Sequence, residues 1–425
     1  MIKFIIKGLF RDPSRTIFPL MVIILGVFLT CLFEGYMNGM LAEMFDTNAR
    51  LKTGHVKIMS HGYAALESQQ PNDLALLGTK ELVSTLNKNF PQVTWVSRIK
   101  FGGILDIPDE YGETKRQAPI MGIAIDFLNK SSANDVQILN VQSSLKVGHL
   151  PQKKGEVLLS HYLLTYFKAR VGDKITLLST SANGAMVATN VTIAGAVQFG
   201  IQAMDRNMMI ADLSDIQYVL DMEDSVGEIL GFLQNNVFDD VKTQVIKTAF
   251  NKNQVIIDDF SPVMLTMRDQ DGLGKVIDLS QFMAHIIIIG FVTIMTIVIW
   301  NTRLIANLRR YGEIGVRLAI GESKKHIVLA MIIEAVVLGL CGAVIGTLLG
   351  LGALYLLQTY GIDISYATRV QSSMVVNNII RGRISTVSYF IGFVPALCAP
   401  VLGTVMASIG IYKRETASLF KELEV

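Results

Sequence analysis

Charge is what this chain has least of. Only 17% of its 425 residues are Asp, Glu, Lys or Arg, and 51% are apolar. A soluble domain carries roughly a quarter charged residues, so an ordinary water-surrounded globule is a poor fit. The formal charge of +2 leaves no bulk surplus to attract nucleic acid. Cysteine is nearly missing. Cys31, Cys341 and Cys398 each lie inside an apolar run, which excludes a disulfide framework and any cysteine metal spacing. A phosphate-binding loop is missing too. That loop needs Gly-x-x-x-x-Gly-Lys-Ser/Thr, so that backbone amides cradle phosphate and the hydroxyl holds magnesium. The nearest fragment, Gly272-Leu-Gly-Lys-Val276, lacks the first glycine and the hydroxyl. No catalytic constellation stands out, and the chain is not expected to be an enzyme. The histidines, His55, His61, His149 and His161 among them, show no metal-ligand spacing and are expected in loops or on the surface. The pairs Asp239-Asp240 and Asp258-Asp259 read as solvated charges.

What is present is four long apolar runs. Ile17 to Phe33 reaches, with its flanks, the ~20 residues a bilayer-spanning helix needs. No small-x-small cleavage pattern follows Phe33, so an uncleaved anchor is expected, projecting past the membrane as a stalk. Ser280 to Ile299, Ile327 to Leu357 and Ser388 to Tyr412 are the other three. Trp300 is expected as an interface anchor at the end of the second. Pro395 and Pro400 are expected to bend the fourth. Ahead of the first run, Lys3, Lys7, Arg11 and Arg15 alternate with apolar residues as in a surface-lying amphipathic helix. Asp12-Pro13-Ser14 then breaks the pattern, with Ser14 placed to cap the next helix.

From Leu51 to Lys275 the texture is that of a mixed α/β domain. Strands are expected at Thr53–Met59, Val93–Ile99, Gly103–Ile107, Ala118–Ile125, Glu156–Ser160, Lys174–Leu178, Val187–Val197 and Gln254–Asp258. Helices are expected at Thr79–Asn89 and Asp212–Leu220. The fold class is thus an integral membrane α-helical protein with four transmembrane helices and a large α/β domain between the first and second. The segments run 1–15 (amphipathic helix), 16–50 (first helix and stalk), 51–275 (α/β domain, with room for two lobes), 276–301 (second helix) and 302–326 (basic elbow). They continue as 327–358 (third helix), 359–386 (loop), 387–412 (fourth helix) and 413–425 (tail). Basic residues cluster in the amino-terminal segment, in the elbow and at Lys413-Arg414, which puts both termini and the elbow in the cytoplasm. The large domain then lies outside.

The elbow is the most specific stretch. Arg310-Tyr-Gly-Glu-Ile-Gly-Val-Arg-Leu-Ala-Ile-Gly321, followed by Glu334 and a glycine series, resembles the carboxyl-terminal signature of MacB/FtsX-type (type VII) ABC permeases. Arg310, Glu313, Ile314, Gly315, Ala319 and Gly321 match that pattern. Leu318 stands where a basic residue is usual, with Arg317 one position early. Glu313 and Arg317 are spaced to pair on one helical face. Lys153-Lys-Gly-Glu-Val-Leu-Leu-Ser-His-Tyr-Leu-Leu164, Arg170-Val-Gly-Asp-Lys-Ile-Thr176, Thr53-Gly-His-Val-Lys-Ile58 and Val191-Thr-Ile-Ala-Gly195 resemble segments of lipoprotein-releasing LolC/LolE-type permeases.

The resemblance implies a permease subunit in the bacterial inner membrane, with no cofactor of its own. It also implies two copies of an ABC ATPase that bind ATP and magnesium, a second identical or related permease, a lipoprotein substrate and a periplasmic carrier. Arg310, Glu313, Ile314, Gly315, Arg317, Ala319 and Gly321 would dock the ATPase. The alternatives are a MacB-like exporter of peptides or antibiotics and an FtsX-like mechanical scaffold that regulates a wall hydrolase. Gly339, Gly342, Gly346 and Gly350 are expected to let another helix approach closely. Glu334 is a costly intramembrane carboxylate that needs a partner on a neighbouring helix or the elbow. Glu34 is expected near the outer interface, solvated by water. Met37, Met40, Met44, Phe282 and Met283 are candidate contacts for acyl chains, methionine being adaptable.

Overall fold

The computed structural model describes residues 13–108, 114–129, 134–234, 237–252, 254, 256–270, 272–309, 311–363 and 379–413. The surface helix expected over 1–15 falls almost wholly outside them, as does the tail beyond Lys413. The chain divides into two units. One draws on Met1–Ala42, Asp278–Asp363 and Ile379–Val425, the other on Glu43–Ile277 with Ile364–Asn378.

The helical unit is built on α1 (Pro13–Asn48), α2 (Leu273–Arg309), α3 (Tyr311–Ala319), α4 (Lys324–Tyr360) and α5 (Phe393–Lys413). Among the described residues, four stretches are long and apolar enough to cross a membrane: Thr16–Thr53, Leu273–Ala306, Lys324–Tyr360 and Val387–Ile409. Proline opens α1, where its missing N–H costs nothing. Ser14 therefore sits inside the first turn rather than before it. Pro400 lies inside α5, while Pro395 falls in its first turn. The four long helices meet at Ile23, Val27, Cys31, Met295, Ile299, Leu338, Ala343, Ala396 and Ala399. Around that small-residue core, Met21, Leu25, Ile289, Ile294, Leu348 and Leu402 stay exposed. Apolar side chains facing both inward and outward are what a lipid surround permits and water does not.

Trp300 departs from its expected place. α2 runs on through Arg309, so Trp300 lies within the helix, and its indole N–H is buried without a hydrogen-bond partner among the described residues. The sequence places a helix end there because the apolar run stops. Hydrogen bonding along the backbone does not stop with it.

Among the described residues, the other unit holds ten strands in one sheet. They are β1 (Val56–Ser60), β2 (Val93–Pro108), β3 (Thr114–Ile125), β4 (Leu145–Gly148), β5 (Glu156–Ser160), β6 (Lys174–Thr180), β7 (Met186–Val197), β8 (Met208–Asp212), β9 (Glu228–Leu233) and β10 (Pro262–Thr266). The order is β10-β1-β9-β2-β3-β8-β5-β7-β4, with β6 pairing both β2 and β7. That double pairing closes the ring β2-β3-β8-β5-β7-β6. Its interior is the main core, including Ile99, Leu105, Leu159, Ile175, Leu177, Ile193 and Met209. Alternation along β6, where Ile175 and Leu177 are buried between exposed or half-buried neighbours, follows from one face lining the ring.

The two strands expected at Val93–Ile99 and Gly103–Ile107 are one. Gly122 stands opposite Phe101, and a Cβ there would fall 2.2 Å from the Phe101 ring. The missing side chain lets the ring lie across the neighbouring strand, so β2 passes its own glycines unbroken. Gln254–Asp258 is not a strand among the described residues. The Ser261 hydroxyl accepts from the backbone N–H of Ile257 and Asp258, which diverts donors a ladder would need. The strand comes later, as β10 on β1.

Two expectations about charge also change. His55 is buried at 2% exposure, and its Nδ1 accepts from the Leu233 N–H at 3.0 Å. Asp240 is not simply solvated, since it meets Arg268 at 2.9 Å. Beneath the sheet lies a buried ion network. Lys57 Nζ is 2.6 Å from Glu67 and 3.2 Å from Glu228, and Lys100 Nζ is 2.9 Å from Glu228. Burial alone would raise the Glu228 pKa, but Lys100 and Lys57 hold its carboxyl down at about 2.

Candidate functional site

The elbow is a short amphipathic helix, α3, packed against α4 and closed at its carboxyl end by a fixed turn. On its inner face Ile314 is buried against Ile327 and Met331 of α4, with Leu318 packed beside them. Ile314 and Leu318 are four apart and so share a face. That explains the apolar residue at 318, where a basic one would have to be buried. On the outer face Val316, Arg317 and Ala319 are exposed, as is Ile320 just beyond the helix, at 82%. Gly315 is buried. Arg310 and the side chain of Glu313 lie outside the described residues, so the expected Glu313–Arg317 pair is not described.

α3 ends on a paired hydrogen-bond motif. Glu322 N–H donates to Arg317 O at 3.0 Å, and Gly321 N–H to Leu318 O at 3.1 Å. Gly321 has φ +99, and glycine is the residue that adopts this without strain. Two residues later Ser323 caps α4, its hydroxyl accepting from His326 N–H at 3.3 Å. The turn between α3 and α4 is thereby fixed, not a loose tether.

Behind the elbow lies the partner of Glu334. Arg303 Nη1 of α2 is 3.0 Å from Glu334 Oε1 of α4, with side-chain exposures of 5% and 15%. The elbow thus hangs between two helices that an ion pair ties together. Arg303 lies in the basic elbow segment, 302–326, where the sequence assigns it only a share in setting topology. Nothing in the sequence links residues 31 positions apart on either side of a turn.

The glycine series is where α1 meets α4. A Cβ on Gly342 would fall 2.5 Å from Ile23, on Gly346 2.7 Å from Val27, and on Gly350 2.8 Å from Cys31. Ile23, Val27 and Cys31 repeat every four residues, as the glycines do, so the two stripes mesh. Gly339 belongs elsewhere. A Cβ there would fall 2.4 Å from Ala396 O, on α5. Glu34 is not left to water either. Its carboxylate accepts from Ser385 Oγ at 3.1 Å, from Ser388 Oγ at 2.6 Å and from Asn38 Nδ2. Of the candidate acyl contacts, Met37, Met40 and Met44 are half-buried along α1, whereas Phe282 and Met283 are exposed on α2 at 61% and 43%.

A match to a known family falls on this same region. Residues 285–416 match the FtsX-like permease C-terminal family. The macrolide export ATP-binding/permease protein MacB of Brucella abortus (strain 2308) is 30% identical over 135 residues, 29% of this chain and 20% of that protein. The protein of the same name from Wolinella succinogenes is 33% identical over 89 residues, 21% of this chain and 13% of that one. The match therefore spans a fifth or less of these curated relatives. The crystal structure of the periplasmic region of MacB from Actinobacillus actinomycetemcomitans aligns over 54% of this chain and 95% of that chain. Its identity of 13% and TM-score of 0.36 are too loose to carry an argument. Residues 285–416 thus carry an FtsX-like permease carboxyl-terminal domain, in a chain whose described residues hold four apolar helices and an α/β insertion after the first of them.

Proposed function

We propose that this chain is the permease subunit of an ABC transporter of the bacterial inner membrane that releases lipoproteins to a soluble carrier. ATP and magnesium are bound by a separate ATPase, present in two copies, and a second identical or related permease completes the assembly. Both termini and the elbow face the cytoplasm, and the α/β domain faces the periplasm. The observation that carries the reading is the build of the elbow. α3 presents Val316, Arg317 and Ile320 outward while Ile314 locks it to α4, and Arg303–Glu334 ties α4 to α2. A push on α3 is delivered to those helices instead of being absorbed by a flexible loop. The LolC/LolE-like segments at Lys153–Leu164 and Arg170–Thr176 favour lipoprotein as the cargo. The second reading is export of a small molecule or peptide. It is favoured by relatives whose name is macrolide export permease.

Reconstitution decides between the two. Proteoliposomes holding this chain, its partner permease and the ATPase are loaded with a triacylated lipoprotein, and ATP-dependent transfer to soluble carrier is followed. Release is expected, and Met40→Asp with Phe282→Asp should abolish it while ATPase pull-down stays intact. Normal release by that double variant removes the acyl-contact assignment. ATP-driven movement of a macrolide or peptide without lipoprotein transfer establishes the export reading in its place.

A further inference from the structure

We propose that the α/β domain contains a binding site for a neutral, single-chain amphiphile, in which methionines receive an alkyl chain and the Tyr63 hydroxyl donates to a carbonyl oxygen on the head. The site is a cavity of about 450 Å³. That lies in the size range of small-molecule pockets, roughly 300–1,000 Å³. It does not depend on the transport reading above, and it lies wholly within the domain of β1–β10.

One wall is apolar and adaptable. Met121, Met204 and Met208 line it, and Met121 is 53% exposed although it stands on a strand of the ring. Unbranched thioether side chains fit an unbranched chain of variable length better than a rigid wall does. Lys52 and Ser68, both exposed, mark the mouth.

The floor selects a neutral head. Lys100, Glu67 and Glu228 line it, and with Lys57 behind them they form two cations and two anions already paired at 2.6 to 3.2 Å. A charged head would have to break one of those pairs or sit unmatched beside them, and a buried unmatched charge is costly. Tyr63 is the group left over. It lines the cavity at 1% exposure, and its hydroxyl is buried without a hydrogen-bond partner among the described residues. Burial, reinforced by the charges of Glu228 and Glu67, pushes its pKa well above the usual phenol value, so it remains a donor. A buried donor without an acceptor is unfavourable, and a carbonyl oxygen on the ligand relieves that. A fatty amide or ester meets both requirements. A fatty carboxylate adds a third negative charge beside Glu67 and Glu228.

The test is photolabelling of the full chain in lipid nanodiscs with octanamide bearing a terminal diazirine, mapped by peptide mass spectrometry. Saturable labelling of the peptides that carry Met121, Met204 or Met208 is expected, displaced by octanamide and much less by octanoate. Tyr63→Phe removes only the hydroxyl and should weaken half-saturation by about threefold to tenfold, the range a neutral hydrogen bond gives. Met121→Trp, which fills the wall, should abolish the labelling. Label confined to α1 ahead of Glu43, α2, α4 and α5 overturns the site. Octanoate competing as well as octanamide, or Tyr63→Phe leaving half-saturation unchanged, overturns the chemistry assigned to it.

Discussion

His55 carries a pH dependence that its neighbours in sequence do not announce. Burial, aided by the charge of Arg50, lowers its pKa from 6.5 to about 4, so it folds neutral and accepts the Leu233 N–H. In the unfolded chain it takes up a proton near 6.5. Between those values the unfolded state binds more protons, so stability from this residue is complete above about 6.5 and is lost as pH falls toward 4. At about 1.36 kcal/mol per unit the full loss is about 3 kcal/mol. Hydrogen exchange of the Leu233 amide in the full chain reads this directly. Protection, corrected for intrinsic exchange, is expected to fall across that window and to stay nearly flat in His55→Asn, which keeps an acceptor but cannot titrate. Equal slopes in both proteins would remove His55 as the source. His55 falls in the expected strand Thr53–Met59, but the sequence does not say which strand lies beside it. Only the pairing of β1 with β9 brings Leu233 over the ring.

At the level of elements, the glycines of α4 separate into those with a neighbour and those without. Gly346 faces Val27 and the carbonyl of Ile24, so a larger side chain must push α1 away. Overpacking of this kind costs about 1–3 kcal/mol. Gly346→Leu should therefore lower the thermal midpoint of the detergent-solubilised chain by several degrees. Gly352→Leu, where a Cβ meets nothing within 4 Å, should leave it unchanged or raise it slightly. Equal effects at both positions would mean that helix propensity, and not the α1–α4 contact, sets the outcome. The four-residue repeat of these glycines was legible in the sequence. The identity of the helix that fills the stripe was not, because α1, α2 and α5 all offer small or branched residues. The strand at Pro262–Thr266 was missed for a related reason. A β-branched run such as Gln254–Asp258 looks better in isolation, and the Ser261 hydroxyl that captures its amides acts from outside it.

At the scale of the whole molecule, the pair Arg303–Glu334 tests whether motion passes from the elbow into the helices. Removing Glu334 takes the carboxylate from the buried Arg303 guanidinium, and a loss of about 3–5 kcal/mol is expected for Glu334→Leu alone. Adding Arg303→Met should recover most of that stability. If the pair transmits the stroke proposed above, the recovered protein will still bind the proposed ATPase but lose ATP-driven output. Full output from the stable double variant would assign the pair to packing alone. Sequence by itself determined the broad plan here: four apolar runs, an α/β insertion after the first, and the elbow signature between the second and third. Those features are written in local composition and spacing, where apolar length, strand alternation and the glycine that ends α3 act within a few residues of chain. Tertiary structure decided which groups meet. It gave Glu334 its arginine, set the glycine stripe against Ile23, Val27 and Cys31, buried His55, and closed six strands into a ring beside a cavity with Tyr63 in its floor. Such contacts join residues far apart in the chain, and their energies depend on burial and distance, which one-dimensional order does not carry.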